Sequence, residues 1–469
     1  MDNSTKIEYF KEISNNQKAF QKVKIIDGAF EEIREDSYKT LCWKKTLGKI
    51  EPGSIIEGIF NLSIMSLGVG LLALPKRVKY MSLFMTPIII ISGGIINYWT
   101  LTILGNASRK YQITSYEKII KLLLNEKVSY FFSIIMNINK FGRLIVFQII
   151  IYKCLGGVIN KLFSFGYKNM DNFAERSFWR EKNIKILVCF LITYLILFPL
   201  CLIKTISKMR YSSAIGVFCL FLVILIILVQ FPSFYYHNIH QRKNNINFLN
   251  LKYGFDRNFQ FFQSISIIIY AFDCHAGLFP ILSSMNRPIK IRVQKVLKNA
   301  VLIDVISCII ISLSGYLSQP FHTPEIIIER EDIYKHDILM IIGDILFICT
   351  LITKIGANYN GFRITILNLL NYDSINYPNF INLIITFFTL FSTTLIASLF
   401  KNNISDYLGL IGTFCSIITV IIMPGMIYIK GNTYSIYHKK NILTIIFMLI
   451  FSFIGLCTIF CTINKILFH

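Results

Sequence analysis

The sequence predicts an all-α integral membrane protein with about eleven transmembrane helices. Of its 469 residues, 54% are hydrophobic and only 16% are charged, against about 25% charged in ordinary soluble domains. The apolar residues form runs of about 20, for example 211–231 and 442–463, which is the length that crosses a bilayer as a helix. Because lipid offers the backbone no hydrogen bonds, each run must be helical.

A window of about 20 residues places the spans along one membrane domain, residues 51–469. The predicted spans are 54–75, 82–105, 130–160, 184–203, 211–232, 260–284, 299–318, 338–370, 380–400, 405–429 and 441–464. The third and eighth are long enough to tilt or to project from the bilayer. Residues 1–50 have mixed charge and little apolar periodicity, which predicts a flexible tail. The sequence shows no signal peptide, so we expect the first span to target the chain to the membrane.

The positions of the basic residues indicate the orientation. Eleven spans put the two termini on opposite sides, and the loops on both sides are basic. The tail and the dense cluster at 287–298 favour a cytoplasmic N-terminus. The acidic loop at 325–337 then falls on the outer side.

The net charge of +22 does not indicate nucleic-acid binding. Most Lys and Arg stand in short gaps between apolar runs, where they set topology and contact anionic lipids. Ten of the eleven cysteines lie in or beside apolar runs, and no CxxC pair occurs. They are typical of small buried residues. We therefore expect neither a metal site nor a cofactor.

The first span carries two glycines in its middle and a proline after them. The segment extends from Gly58 to Pro75, and Gly68 and Gly70 lie near the middle of the bilayer. Each glycine costs about 1 kcal/mol against alanine inside a helix, so the helix is weakest there. Small residues are also common where membrane helices pack closely. Alone, this pattern indicates either a break or a tight contact.

The sixth span concentrates residues that interrupt a helix. An eight-residue stretch inside the apolar run contains Asp273, His275, Gly277 and Pro280. Pro280 removes a backbone hydrogen bond, and Gly277 adds backbone freedom. Spans one and six are five apart, and paired interrupted segments in corresponding positions are typical of a transporter binding site at the midplane. Free N–H groups there can bind a carboxylate, and free carbonyls can bind an ammonium group or a cation.

Four segments in order carry a family resemblance over about residues 54–430. In the first span the matching residues are Asn61, Leu62, Gly68, Gly70, Leu72, Leu74 and Pro75. In the sixth they are Phe272, Cys274, His275, Pro280 and Ile281. The segment 207–216 is similar to the start of the family's fifth span, and the tenth span, ending in Pro424 and Gly425, is also similar. These segments resemble the amino acid/auxin permease family.

The resemblance implies a LeuT-type fold, a 5+5 inverted repeat with broken helices 1 and 6, and transport of amino acids. It also implies that the substrate binds at the two breaks. In the first span the predicted substrate-binding residues are Asn61, Ser66, Leu67, Gly68, Val69 and Gly70. In the sixth they are Phe272, Asp273, Cys274, His275 and Gly277.

Two departures from the family's sodium-coupled members concern the coupling ion. Those members have a second asparagine three residues after the first, where this chain has Ile64, which offers no oxygen. They complete a sodium site with a threonine hydroxyl on span eight, where alignment on Arg363 places Lys354 and, beside it, Thr353. An ammonium group there would take the place of the ion. We predict Asp273, Lys354 and Thr353 as coupling-ion residues, with proton coupling or none; a one-residue shift would restore the threonine.

Charges inside the spans are functional candidates, because a charge at a helix centre costs at least about 2.5–3.5 kcal/mol in the membrane. Asp273 could pair with a substrate ammonium group or carry a proton, or else cap the second half of its helix. His275 could titrate, or could be a neutral residue hydrogen-bonded between helices. Lys354 could replace a cation, or extend toward water.

Four further charges lie in the spans, of which Asp304 is expected to be structural and Asp344 is a candidate partner of Lys354. Lys140 and Arg143 begin the deep part of span three and are expected to extend toward the interface, or else to line the pathway. Asp304 is expected at a shallow depth in span seven. Asp344 lies ten residues before Lys354, about 15 Å along a helix, so a contact between them would need a bend.

The sequence thus predicts a secondary active transporter of amino acids, with protons as a candidate second substrate, and not an enzyme. It has no HExxH, GxSxG or phosphate-binding lysine loop, and no filter-like loop or voltage-sensing arginine series. An amino acid sensor that signals through its tail, and a transporter of another small organic solute, remain alternatives. We expect a monomer surrounded by membrane lipids, in the plasma membrane or an acidic vacuole or lysosome-like membrane.

Overall fold

The computed structural model describes residues 53–166, 182–203, 210–241, 260–320, 323–330, 337–370, 377–399, 412–432 and 437–468, together with 372 and 435. Every regular element in these residues is helical, as predicted. The tail at 1–50 lies outside the described residues, and so does the first part of the predicted tenth span, 405–411.

The α-helices are given in chain order. They are α1 (Ile55–Ser66), α2 (Val69–Met81), α3 (Met85–Tyr111), α4 (Tyr116–Leu123), α5 (Glu126–Gly166), α6 (Lys182–Ile192), α7 (Phe198–Cys201), α8 (Arg210–Gln241), α9 (Gln260–Ala271), α10 (His275–Ser284), α11 (Lys290–Ser318), α12 (Ile338–Leu369), α13 (Asn379–Leu399), α14 (Met423–Gly431) and α15 (Lys439–Phe468). Short π-helical turns join α6 to α7 (Thr193–Leu197) and precede α14 (Gly412–Ser416 and Ile418–Ile422), and a 3-10 turn covers Ile327–Glu329.

The described residues contain nine helices that are long and apolar enough to cross a membrane, or ten if the bent pair α1 and α2 counts as one span. The predicted fourth span is present as the shorter apolar stretch Ile186–Cys201. These helices confirm an all-α integral membrane protein. The total of eleven spans and the 5+5 inverted repeat stay predictions.

Large apolar side chains on the outer faces of the helices show which surface meets lipid. Leu195 is 68% exposed and Phe380 72%. Among the described spans, α15 is the most peripheral, with only 17% of its apolar window buried. In water such surfaces would be aggregation sites, whereas in a bilayer they are solvated by acyl chains. The chain is therefore a multi-pass membrane protein.

Helices α1 and α2 form the centre of the bundle together with α9 and α10. Helix α2 packs against α11 and α9, and α1 packs against α11 and α8. Helix α12 packs against α5 on one side and α8 on the other. Most of the apolar core lies between these helices. The two spans that the sequence predicts to be interrupted are thus held between α5, α8, α11 and α12.

Side-chain caps fix where two of these helices begin. The hydroxyl of Ser54 accepts a hydrogen bond from the backbone N–H of Glu57 at 3.2 Å, which caps α1. The carboxylate of Asp337 accepts one from the N–H of Met340 at 3.0 Å, which caps α12. Capping satisfies backbone donors that otherwise have no partner at a helix start.

Candidate functional site

Both predicted breaks are present, and each lies ahead of its proline. In the first span α1 ends at Ser66, α2 begins at Val69, and the two axes are bent by 51°. The helix then continues through Pro75 to Met81, past the predicted end of the span at residue 75. In the sixth span the backbone leaves the helix at Phe272–Cys274.

Pro280 contributes to the sixth span in another way. It lies inside α10, not at the break. Because proline has no N–H, the carbonyl four residues earlier, at Ala276, loses its helical partner. Ala276 and Pro280 both line the central cavity. The sixth span therefore presents, beside the cavity, a carbonyl that lacks its helical partner close to the break.

Asp273 lies in the sixth-span break and is buried, at 3% exposure. Its Oδ2 accepts hydrogen bonds from Asn139 Nδ2 at 3.0 Å and from Ser416 Oγ at 2.8 Å. Thr419 Oγ1 lies 3.3 Å from the same oxygen. The guanidinium of Arg143 donates to Oδ2 and, at 2.8 Å, to the Asp273 main-chain carbonyl. Four side chains from α5 and the tenth span thus converge on one oxygen.

The Arg143–Asp273 ion pair was not predicted, because Arg143 was expected to extend toward the interface. Arg143 is instead buried, and its guanidinium also lies 4.9 Å from the ring centroid of Tyr270. Asn139 orients it by accepting from Nε at 3.1 Å. Breaking a buried ion pair leaves an uncompensated charge, which costs about 3–5 kcal/mol. The pair therefore fixes the sixth-span break against α5.

Three of the partners of Asp273 were missed by the sequence reasoning. They are Asn139, Ser416 and Thr419. Ser416 and Thr419 stand in the π-helical turns Gly412–Ser416 and Ile418–Ile422. Such turns are frequent at functional sites, but the apolar pattern of the tenth span does not reveal them. The only sequence feature that indicates a role for Asn139 is its polar side chain one turn before Arg143.

Lys354 reaches the first-span break. Its ammonium nitrogen donates to the carbonyl oxygen of Leu67 at 2.7 Å and to that of Ser66 at 3.0 Å. The ring centroid of Phe147 lies 5.4 Å away. Lys354 is 4% exposed, so it does not extend toward water. Its cationic group occupies the place where free carbonyls at a helix end can hold a cation.

Gly68 leaves room for this approach. A Cβ at position 68 would overlap the ammonium group of Lys354 and the end of its alkyl chain. Gly277 is similarly constrained, because a Cβ there would overlap Met65 Sδ of the first span. The glycines at the breaks thus serve close contacts between helices as well as backbone freedom.

Thr353, the neighbour of Lys354, faces another helix. Its hydroxyl donates to the Thr350 carbonyl at 2.8 Å and lies against Gly216 of α8. The alignment of span eight left open which residue meets the first-span break. The ammonium group of Lys354 makes that contact.

Asp304 lies near the middle of the 29-residue helix α11 and is 1% exposed. The prediction of a shallow position is wrong, because the helix begins at Lys290 and not near residue 299. Asp304 Oδ2 accepts a hydrogen bond from Ser66 Oγ at 2.5 Å. Ser66 therefore contacts Asp304 with its hydroxyl and Lys354 with its carbonyl.

His275 is fully buried and lies between helices. Its Nε2 is 2.8 Å from Thr100 Oγ1 of α3, and its Nδ1 is 3.9 Å from Asp273 Oδ1. It is not among the residues that line the central cavity. This arrangement matches the alternative of a histidine hydrogen-bonded between helices.

The other predicted site residues occupy different surroundings. Asn61 is 1% exposed, and neither of its amide atoms has a hydrogen-bond partner among the described residues. Gly70 packs against Ala271. Phe272 lines a separate apolar crevice of about 390 Å³. Val69 is buried in the core at the start of α2.

Two of the charges singled out in the sequence remain, Lys140 and Asp344, and both are buried. Lys140, 5% exposed, donates to the Gly361 carbonyl at 2.8 Å and to Thr365 Oγ1 at 2.7 Å. The expectation that it extends toward the interface is therefore wrong. Asp344 lies 3.9 Å from Lys161 Nζ. That ion pair is on α5 and α12 and does not involve Lys354.

A central cavity of about 420 Å³, partly open, lies between the two breaks, α5 and α12. Its charged lining consists of Lys140, Arg143, Lys354 and Asp273. Uncharged lining residues include Met65, Cys274, Gly277 and Asn358. The cavity thus combines both breaks with three cations and one carboxylate. No group of three or more metal-ligating side chains occurs within the described part of the chain.

Comparison with known proteins agrees with this architecture. The model of the family described as "Transmembrane amino acid transporter protein" matches residues 51–468. Over 326 residues the chain is 24% identical to "Vacuolar amino acid transporter 7" of Saccharomyces cerevisiae, covering 69% of this chain and 61% of that protein. It is 21% identical over 271 residues to "Vacuolar amino acid transporter 5" of the same yeast, covering 57% of each.

The alignment with a third relative covers a larger share of both proteins. "Sodium-coupled neutral amino acid symporter 2" of Danio rerio is 21% identical over 406 residues, which is 82% of this chain and 78% of that protein. The alignments with the two yeast proteins span less than two thirds of their length.

Proposed function

Because this chain belongs to the transmembrane amino acid transporter family, we propose that it is a secondary active transporter of amino acids, coupled to protons or uncoupled, and not driven by sodium. The chain acts as a carrier and not as an enzyme. The observation that carries the coupling part is the Lys354 ammonium group on the carbonyls of Ser66 and Leu67.

The substrate binds in the cavity between the two breaks. Its carboxylate is attracted to the N-terminal end of α2, where backbone N–H groups and the helix dipole favour an anion. Its ammonium group is directed to Asp273 Oδ1 and to unpaired carbonyls of the sixth span. Oδ2 already holds four donors, so Oδ1 is the oxygen that remains for a ligand.

Electrostatic repulsion supports a coupling that does not use sodium. Two unit charges 4 Å apart repel by about 4 kcal/mol at an effective dielectric of 20. An ion bound to the carbonyls of Ser66 and Leu67 would have to displace Lys354 Nζ, which lies 2.7 Å from the nearer oxygen. The zebrafish relative is named as sodium-coupled, and the position of Lys354 at the first-span break supports a different coupling in this chain. A proton symporter, or a uniporter, fits the fixed ammonium group.

The membrane is inferred to be the plasma membrane or an acidic vacuole-like membrane. The yeast relatives are named as vacuolar transporters. In an acidic compartment, a proton gradient would drive amino acids out of the lumen in a symport mechanism. We further infer that the chain works as a monomer among membrane lipids.

The test is transport by the full-length protein in liposomes. Labelled amino acids are offered under proton and sodium gradients that are set independently. Uptake driven by inward protons, or saturable uptake without any gradient, and indifferent to sodium would support the proposal. Sodium-driven uptake would refute the coupling, and saturable flux of another organic solute would refute the substrate class. Binding of amino acids without flux would instead favour a sensor.

A further inference from the structure

Asp304 differs from Asp273 and Asp344, the other buried aspartates within the predicted spans, because it has no cation in direct contact. Asp273 is paired with Arg143, and Asp344 lies 3.9 Å from Lys161. Within the residues that the structure describes, no salt bridge to Asp304 is formed. Burying an ionised carboxylate without a partner is costly, and such a group is stabilised by taking up a proton.

Asp304 is nevertheless connected to the centre of the site through Ser66. The Ser66 hydroxyl donates to Asp304 Oδ2 at 2.5 Å, and the Ser66 carbonyl accepts from Lys354 Nζ at 3.0 Å. Ser66 is the last residue of α1. A change of charge on Asp304 therefore acts directly on the residue at which the first span breaks.

We propose that the coupling proton binds to the Asp304 carboxyl group, and that Ser66 and Lys354 transmit its presence to the first-span break. This inference rests on the proposed function as an amino acid transporter. With the proton bound, Asp304 is neutral and Lys354 stays on the carbonyls of Ser66 and Leu67. When the proton leaves for water, the Asp304 carboxylate attracts the Lys354 ammonium group. The hydrogen bonds from Lys354 to the carbonyls of Ser66 and Leu67 then weaken.

Among the described residues, few charged or titratable groups face Asp304 and Lys354. Asp304 is faced by Lys354 from α12, by the Cys274 thiol from the sixth-span break and by Cys308 of its own helix. From α1 it is faced by the hydroxyls of Ser63 and Ser66. Lys354 is faced by Arg143 of α5 and by Asp273 and Cys274.

Asp273 is less suited to carry the proton. Its carboxylate is held by Arg143 and by the side chains of Asn139, Ser416 and Thr419. Hydrogen bonds to the charged form and an adjacent cation both favour the carboxylate. Asp273 is thus a fixed charge, and Asp304 is the carboxyl group whose charge can change.

The experiment compares Asp304→Asn with Asp344→Asn in the same liposomes. Both changes remove a buried aspartate from a long helix of the bundle, but Asp344 does not contact Ser66 or Lys354. Two readouts are measured: accumulation of substrate under an inward proton gradient, and acidification of the lumen by a trapped pH-sensitive dye when substrate is added.

We expect Asp304→Asn to lower proton-driven accumulation by about tenfold or more, the size of a typical coupling between sites, and to abolish lumen acidification. Exchange of labelled for unlabelled substrate, which needs no net proton movement, should fall far less. Asp344→Asn should keep both proton readouts. Substrate-dependent acidification that persists in Asp304→Asn would overturn the inference.

A second variant keeps the test decisive if Asp304→Asn does not fold. Ser66→Ala removes the hydroxyl that contacts Asp304 and should move the pH midpoint of uptake, whereas an unchanged midpoint would refute the link. Wild-type uptake that is insensitive to pH would refute this inference but leave amino acid transport standing. Absence of any amino acid flux would instead refute the proposed function.

Discussion

The ammonium nitrogen of Lys354 lies 2.7 Å from the carbonyl oxygen of Leu67, at the point where the first membrane span breaks. Lys354 comes from α12, 287 residues further along the chain. A lysine from one helix thus satisfies main-chain groups that another helix leaves unpaired. The first prediction follows from this contact.

Replacing Lys354 by methionine keeps most of the length of the side chain and removes its charge. We expect uptake to fall by about tenfold or more, because hydrogen bonds to a charged group contribute about 1.5–3 kcal/mol each. Proton dependence should also be lost. The measurement is uptake in liposomes at several pH values.

The matched control is Lys161→Met. Lys161 is also a lysine of a spanning helix near a buried acid, Asp344, but its side chain is 23% exposed. This variant should keep most of the uptake. Equal losses in the two variants would indicate a general effect of removing charge and would contradict a specific role for Lys354.

The second prediction tests how closely Lys354 approaches the break. Gly68→Ala would place a Cβ against the Lys354 ammonium group. Overpacking of this kind costs about 1–3 kcal/mol, and we expect uptake to fall by about tenfold. Gly343→Ala is the control, because a Cβ there would meet Ile226 only at ordinary contact distances, 3.8 Å and beyond. If both variants transport equally well, the contact at Gly68 is not needed for transport.

The third prediction concerns the Arg143–Asp273 ion pair. Arg143→Gln or Asp273→Asn alone should destabilise the protein by about 3–5 kcal/mol, because each leaves one buried charge unpaired. The double variant should lose less than the sum of the two single variants. Thermal unfolding in detergent measures both effects.

A partly exposed ion pair supplies the comparison. Lys76 and Glu325 are 3.3 Å apart with side chains about a quarter exposed, and exposed pairs contribute about 0–1 kcal/mol. Lys76→Gln should therefore barely change the melting temperature. Additive losses in the Arg143 and Asp273 variants would show that the two side chains do not stabilise each other.

The positions of the two breaks could be predicted from the sequence to within a few residues. Gly68, Gly70 and the cluster from Asp273 to Pro280 are local signals, because each weakens the helix in which it stands. Lys354 and Asp273 were identified by another local signal, the high cost of a charge in an apolar run.

The contacts between helices could not be predicted in the same way. Asn139, Ser416 and Thr419 meet Asp273 across more than 130 residues of sequence. Their pairing depends on how α5 and the tenth span pack, and an apolar pattern does not specify that. Asp304 was placed too near the membrane surface because α11 begins nine residues before the predicted start of its span, in the basic segment after residue 287.

The fourth prediction is that His275 is not part of the proton pathway. Its Nε2 is 2.8 Å from Thr100 Oγ1, and it is fully buried away from the cavity. His275→Gln, which can still hydrogen-bond to Thr100, should keep the pH dependence of uptake. His275→Phe should destabilise the protein by about 1–3 kcal/mol, because Thr100 is left without this partner. A flattened pH profile in His275→Gln would contradict this assignment.

The fifth prediction concerns the charge of the substrate side chain. Three cations and one carboxylate line the cavity, and the carboxylate of Asp273 is already paired with Arg143. The side chain of a cationic substrate would lie near the positive charges of Lys140 and Lys354, and no unpaired carboxylate of the cavity lining would neutralise it. Repulsion between unit charges 4 Å apart is about 4 kcal/mol at an effective dielectric of 20. We therefore expect arginine and lysine to compete at least about tenfold less well than neutral amino acids.

Competition assays in liposomes measure this selectivity, and Lys140→Gln tests its origin. Removing the Lys140 charge should reduce the difference between the concentrations at which arginine and a neutral amino acid compete. Lys153→Gln is the control on the same helix, because Lys153 is 39% exposed and paired with Glu329 at 2.9 Å, outside the cavity. If arginine competes as well as neutral amino acids in the wild type, the cations of the cavity do not set the selectivity, and the substrate side chain must point away from them.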